Sequence, residues 1–370
     1  MKDRKEVIGF LEDKKKSINS KKVTIGIDSA IDKVVRVVRS KSRNNEKEFF
    51  PNISQFGEHI ISKSGMSCGL ELSERFLKLG GNAPITSNAL GNLGVKVNCV
   101  SPLGIPEINP VFKNLSSNCD LYSIGEPAYT TAMEFEDGKV LLAQVEGLDK
   151  VDWEQIKNIL GLEKLKSFFE ESGLIGLVNW SCMINFNNIL EGLLREILRK
   201  SKISKEQIVF FDFADFSKRE RKEVCRATEL IGQFNNYYKV VLGLNENEAL
   251  LMFKSLFHDT TPEDLLITGR RIFERLNIDS IVIHTLTTSI ACDKNSVVQI
   301  PSLYVRQPKL STGGGDNFNA GLCFGLLLGL DLESSLYIAN ATSGYYVRNA
   351  ESPTFENLIE TLKNWDRLME

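Results

Sequence analysis

Apolar residues in this chain fall into short runs separated by longer amphipathic stretches, the pattern of strands and helices taking turns. Val23 to Ile27, Val95 to Val100, Leu174 to Asn179, Gln207 to Asp212, Tyr238 to Leu244 and Ser280 to Leu286 read as strands, several of them apolar on both faces. Between them Phe186 to Arg199 and Pro262 to Leu276 carry helical spacing. The alternation predicts an α/β fold, a mainly parallel sheet covered by helices on both faces. Residues 1 to 22 read as an N-terminal helical extension, whose stripe of Val7, Ile8, Phe10 and Leu11 lies against a body spanning 23 to 370. Gly69 to Leu79 has the spacing of a helix, and a second helix follows, capped by Asn82, opened by Pro84 and ended by Gly94.

The rhythm breaks twice. Val34, Val35, Val37 and Val38 alternate with Lys33, Arg36 and Arg39, a strand with one wet face. Thr130 to Phe135 and Val140 to Val145 flank Glu136-Asp137-Gly138-Lys139, a hairpin signal. These segments predict a small sheet standing off the main one, with strands from about 33–58 and 118–146. It would serve as a lid over a site or, through its unpaired edge, as a homodimer contact.

Charge and composition narrow the partners. A formal net charge of −3 with mixed signs throughout gives no nucleic-acid footprint. No apolar stretch is long enough to span a membrane and Met1 to Lys22 does not read as a secretory signal, so the expectation is a cytoplasmic protein. The seven cysteines form no C-x-x-C pair and are expected to be reduced, buried thiols. His59, His258 and His284 are scattered, which leaves a carboxylate as the expected general base.

Candidate chemistry concentrates in Ser311 to Gly321, S-T-G-G-G-D-N-F-N-A-G, ahead of the apolar run Leu322 to Leu330. Three glycines let backbone N–H groups converge at a helix start, an anion site. The helix dipole would favour an ionised Asp316, and a carboxylate beside an anion can take a proton from an attacking hydroxyl. A flexible turn with Asp316 as a helix cap accounts for the same residues. Asn245-Glu246-Asn247-Glu248 reads as a capping box, and equally as an acid that organises water around Mg²⁺. Gly80 and Gly81 suit close backbone approach by a ligand or a tight connection, and Asp28 and Asp32 follow the first strand at the sheet edge where ligands bind.

Taken together, G-G-N-A-P-I-T-S-N-A-L-G-N-L-G at 80–94, N-E-N-E at 245–248 and T-G-G-G-D-N-F-N-A-G at 312–321 resemble the signatures of the ribokinase-like, or PfkB-type, carbohydrate kinases, in the same order and over nearly the whole chain. The resemblance implies a three-layer α/β/α domain with a small β-lid that transfers the γ-phosphoryl of ATP, with Mg²⁺, to a hydroxyl of a sugar or nucleoside. It implies Asp316 as base, the amides of Gly313, Gly314 and Gly315 as anion hole, and Asp32, Gly80, Gly81 and Asn82 as acceptor contacts. Asn245, Glu248, Thr285, Thr312 and Asn340 match the nucleotide side, with Glu248 placing Mg²⁺ through water.

Two departures stand out. Where the family usually has D-T-T-G-A-G-D, this chain has Leu310 and Ser311 at the first two positions and Gly314 for the Ala, which puts monovalent-cation activation in question. Where relatives tend to have T-L-G-x-x-G, it has Thr287 and Ile290 for the glycines, side chains expected to reshape the nucleotide pocket. A sugar-binding or regulatory descendant without turnover is therefore the competing expectation. A dinucleotide-dependent oxidoreductase is disfavoured, because no G-x-G-x-x-G follows the first strand.

Overall fold

The computed structural model describes residues 4–257 and 264–369. His258 and the first residues of the helix expected from Pro262 lie outside them. In chain order the strands are β1 (Lys22–Gly26), β2 (Ala30–Lys41), β3 (Lys47–Phe49), β4 (Glu71–Gly80), β5 (Lys96–Ser101), β6 (Cys119–Ser123), β7 (Ala128–Phe135), β8 (Gly138–Gln144), β9 (Leu174–Leu177), β10 (Ile208–Asp212), β11 (Lys239–Asn245), β12 (Ser280–His284), β13 (Thr288–Asp293) and β14 (Val297–Pro301). The main sheet runs β14-β13-β12-β11-β10-β9-β1-β5-β6. Every neighbouring pair from β6 to β12 is parallel, and β13 and β14 extend the far edge antiparallel.

Parallel strands buried on both faces must be apolar at odd and even positions alike, and β9 and β10 are buried throughout. Val209 and Phe211 of β10 join the core on one face, with Trp153, Phe186 and Phe234. Ile208 and Phe210 join the other, with Phe318, Leu322 and Leu336. The three layers follow from that alternation. Val7, Ile8 and Leu11 of the helix Arg4–Lys14 are buried in the second core, and Arg4 pairs with Asp366.

The small sheet is ordered β3-β2-β7-β8, with β4 also paired to β2. Here two expectations are corrected. Gly69 to Leu79 does not form a helix: residues 71–80 are β4, antiparallel to β2 from Ala30↔Gly80 to Val38↔Glu71. Its apolar residues, Leu72, Phe76, Leu77 and Leu79, are spaced so that neither period excludes the other, and pairing with β2 decides. Within 118–146, β6 belongs to the main sheet, and only β7 and β8 belong to the lid. The cysteines are all free, but burial holds for only part of them: Cys99, Cys292 and Cys323 are buried, whereas Cys68 and Cys182 lie exposed on connecting segments.

Phe186 to Arg199 is helical as expected, but its hydrogen bonding changes after Gly192, with π-type bonds over Leu193–Ile197. The Trp153 indole lies where a Cβ on Gly192 would sit, and its Nε1 donates to Glu196 Oε1 at 2.8 Å. Overpacking costs about 1–3 kcal/mol in a filled core. Gly192→Ala should lower stability by that order in urea unfolding, while Gly161→Ala, with open space around it and destabilised by its backbone angle alone, gives the comparison value.

Candidate active site

The strands deliver their last residues to one edge. Asp212 ends β10, Asn245 ends β11 beside His284 at the end of β12, and Asp28 and Asn179 stand two residues beyond β1 and β9. Register in a parallel sheet aligns carboxyl ends, which is why polar residues distant in sequence converge here.

On the acceptor side Asp28 is fully buried. Its carboxylate accepts the backbone N–H groups of Asn82 and Ala83, both at 2.9 Å, and the Asn179 Nδ2 at 2.7 Å. The helix Asn82–Asn92 is therefore capped from β1, and Asn82 is its first residue instead of its cap, the N-cap position being Gly81. The Asn82 side chain is left facing the site, its Oδ1 accepting from Asn179 Nδ2 at 3.1 Å. Both readings of the glycine pair have a place. Gly81 has φ +87° and packs against the Ser29 backbone, so it is a tight connection. Gly80 lies against Asp32: a Cβ there would be 2.9 Å from Oδ2. Asp32 is half-buried on β2, its acidity lowered by burial. Its register partner on β4 is Lys78, whose ammonium is depressed by burial and pulled back up by Asp32 and Asp316. Sequence reading missed Lys78 because it assigned the segment to a helix, where residue 78 has no fixed relation to residue 32. Asn179 is, from the sequence, only the last residue of an expected strand. Its left-handed backbone, φ 62°, is the feature that turns its amide toward Asp28 and Asn82.

The glycine turn opens the helix Gly314–Leu327. Gly313 has φ +94°, and a Cβ on it would be 2.7 Å from the Tyr346 hydroxyl, which donates to the Thr312 carbonyl. The Gly314 N–H is engaged by the Ser311 carbonyl at 3.0 Å. Of the three amides expected in an anion hole, those of Gly313 and Gly315 thus remain without a backbone acceptor among the described residues. Asp316 follows in the first turn. Its acidity runs opposite to the expectation from the helix dipole: burial, then the charges of Asp212, Asp28 and Glu248, hold its pKa well above the usual carboxylate range, with Lys78 opposing. A dipole is worth at most a few kcal/mol at a helix end, less than desolvation beside three like charges.

Asn245 and Glu248 form the reciprocal capping box. The Glu248 N–H donates to Asn245 Oδ1 at 2.9 Å, and the Asn245 N–H and Nδ2 donate back at 2.9 and 2.6 Å. Glu248 is also buried, pushed up to about 8 by burial and by Asp212, which itself rises to about 6. Asp212 accepts from Asn319 Nδ2 at 2.6 Å, and Asn319 Oδ1 is buried without a partner. Acids crowded together in this way, Asp212 raising Glu248, fit a cation. No group of three or more acidic, His or Cys side chains among the described residues is placed to ligate one directly, so the fit is to an ion that keeps its water.

A cavity of about 570 Å³ opens beside Gly314 and Gly315. Its walls include Asn245, Thr285, Leu286, Tyr304 and Asn340. Thr285 Oγ1 accepts the N–H groups of Thr287 and Thr288 and so shapes the β12–β13 turn, and Asn340 Nδ2 donates to Ser289 Oγ at 2.7 Å. Thr287 and Ile290 do not line the cavity. Thr287 points to solvent and Ile290 is buried in the core, so the expected reshaping by these two side chains does not occur. Thr312 is exposed on the turn outside the cavity.

The sequence model of the prokaryotic ketohexokinase family matches residues 4–365. A ketohexokinase from Haloferax volcanii is 26% identical over 343 residues, 92% of this chain and 90% of that relative. Among solved structures, the nucleoside kinase of Methanocaldococcus jannaschii, an archaeal member of the ribokinase family, superposes with a TM-score of 0.61 at 16% identity, covering 93% of this chain and 98% of that one. A fructokinase from Xylella fastidiosa with bound ATP superposes with a TM-score of 0.63 at 11% identity, covering 93% and 99%. At these identities the structural likeness establishes the ribokinase fold.

The buried charge makes a prediction about stability. A group whose folded pKa is raised binds its proton more tightly when folded, so its ionisation subtracts stability as pH rises from the unfolded value through the folded one. Asp316→Asn should therefore be more stable than the parent protein at pH 8 and lose most of that advantage at pH 5, measured by urea unfolding without ligands. An advantage independent of pH would contradict the elevated Asp316.

Proposed function

The chain belongs to the prokaryotic ketohexokinase family, a family of carbohydrate kinases, and we propose that it transfers the γ-phosphoryl group of ATP to a hydroxyl of a ketohexose. The observation that supports this most is Asp316, held at one helix start between the Asp32–Lys78 side of the site and the cavity beside Gly314 and Gly315.

The chemistry follows from that placement. Asp32 and Asn82 hold acceptor hydroxyls, with Asn179 and Asp28 fixing Asn82 in turn. Asp316 takes the proton of the attacking hydroxyl as its oxygen bonds to the γ-phosphorus and the bridging oxygen leaves with the diphosphate. A carboxylate held above its usual range is the stronger base for that proton. The free amides of Gly313 and Gly315 receive charge on the transferring group. Asp212 and Glu248, with Asn319, would hold a hydrated Mg²⁺, which supplies neutralisation of phosphate charge. The competing reading, a sugar-binding protein without turnover, drew on Thr287 and Ile290, and neither side chain reaches the cavity. We extend the proposal to a homodimer through the lid, where Leu72, Phe76, Leu77, Leu141 and Leu142 are exposed.

Nucleotide consumption with Mg²⁺-ATP should be supported by a ketohexose such as fructose above ribose and adenosine. Asp316→Asn should reduce kcat by roughly 10² to 10⁴ with the acceptor KM little changed. Unchanged turnover removes Asp316 as base, and equal rates with nucleosides remove the ketohexose assignment. Light scattering on the parent protein and on Phe76→Glu should show a dimer that the charge dissociates; a monomeric parent protein refutes the lid contact.

A further inference from the structure

His284 has no part in the chemistry above, and its surroundings give it one. It ends β12 beside Asn245 and lines the cavity with Gly314 and Gly315. Its ring packs on Phe318, centres 4.7 Å apart, so the imidazole is held from one face. Its Cε1–Nε2 edge is turned to the glycine turn: a Cβ on Gly315 would lie 3.4 Å from Cε1 and 3.6 Å from Nε2. Among the described residues neither ring nitrogen has a hydrogen-bond partner. Half-buried nitrogens facing a cavity without an acceptor or donor are uncommon in a settled core, where polar groups find partners.

Taking the kinase reading as given, we propose that His284 is a donor-binding residue that hydrogen-bonds the phosphate chain of the nucleotide, adding an imidazole N–H to the amides of the glycine turn. Position selects the phosphates over the base. Nε2 faces Gly315, whose amide is unspent, whereas Leu303, Tyr304 and Val305 bring apolar lining from a separate segment. Burial pushes the imidazole down to about 4, so near neutral pH the ring is a neutral donor. A neutral ring does not form an ion pair with nearby Asp316, and it leaves the base free. A lysine in its place would pair with the carboxylates that the reaction uses.

The test separates phosphate from base. Binding of ATP, inorganic tripolyphosphate and adenosine is measured by calorimetry on the parent protein, His284→Ala and His284→Gln, with steady-state constants alongside. His284→Ala should weaken ATP and tripolyphosphate by about tenfold or more, the scale of one charge-assisted hydrogen bond. Adenosine affinity and the sugar KM should stay within twofold, and His284→Gln, which keeps an N–H, should recover part of the loss. Equal losses for adenosine and tripolyphosphate, or none for either, overturn the proposal. Should the variants fail to fold, imidazole ¹⁵N spectra of the parent protein, with only three histidines to assign, decide: the His284 signals move with tripolyphosphate and not with adenosine, and the reverse overturns it. An active parent protein with unaffected His284 variants sinks this assignment alone. A parent protein that neither turns over ATP nor binds tripolyphosphate sinks the kinase reading with it.

Discussion

Asp28, Asp212, Glu248 and Asp316 are gathered at one sheet edge, all with raised pKa values, and the last three are each raised in part by the charge of another of the four. Like charges in a poorly solvated space cost free energy, which Lys78 opposes at Asp316. The rest of the architecture tolerates this cost. Two apolar cores clamp the strands whose ends carry the acids, and each acid except Asp316 is tied down by hydrogen bonds: Asp28 to a helix start, Asp212 to Asn319, Glu248 to Asn245. Among the described residues Asp316 alone of the four is left without such a tie, which suits the proton acceptor proposed for it.

Much of this could be read from sequence wherever a local signal has one physical solution. The buried strands declared themselves because apolar runs of so few residues are too short for a helix of ordinary length. N-E-N-E declared its capping box because Asn and Glu three apart satisfy one another. The glycine turn declared a helix start. What stayed hidden depended on contacts between distant segments. Residues 71–80 resolve into a strand only through β2, and with that strand Lys78 arrives opposite Asp32. Asn82 looked like a cap because the true capping group, Asp28, is supplied by another element. The acidity of Asp316 was misjudged for the same reason: a dipole is visible within one helix, whereas desolvation and three other carboxylates are not.

The two substituted glycines teach a related point. Thr287 and Ile290 were expected against the nucleotide by correspondence with relatives, yet the β12–β13 pairing turns one to solvent and the other into the core. The wall is shaped instead by His284, Thr285 and Leu286, the residues just before. A motif position transfers between chains only as far as its side-chain direction does.

The lid leaves the body at one level. Ala30 of β2 pairs with Gly80 of β4 on one side and Ala128 of β7 on the other, and the Ala128 N–H is anchored on the Ser29 carbonyl. Three strands rooted side by side make a pivot, and distance from a pivot sets displacement. At about 3.3 Å per residue, Asp32 stands roughly 7 Å out and Lys41 roughly 36 Å. A rotation that sweeps the lid tip through several ångströms therefore moves Asp32 by about a fifth as much. The lever is long at its tip and short at its root, so a swinging sheet would carry its far edge a long way while Asp32 stayed close to the body.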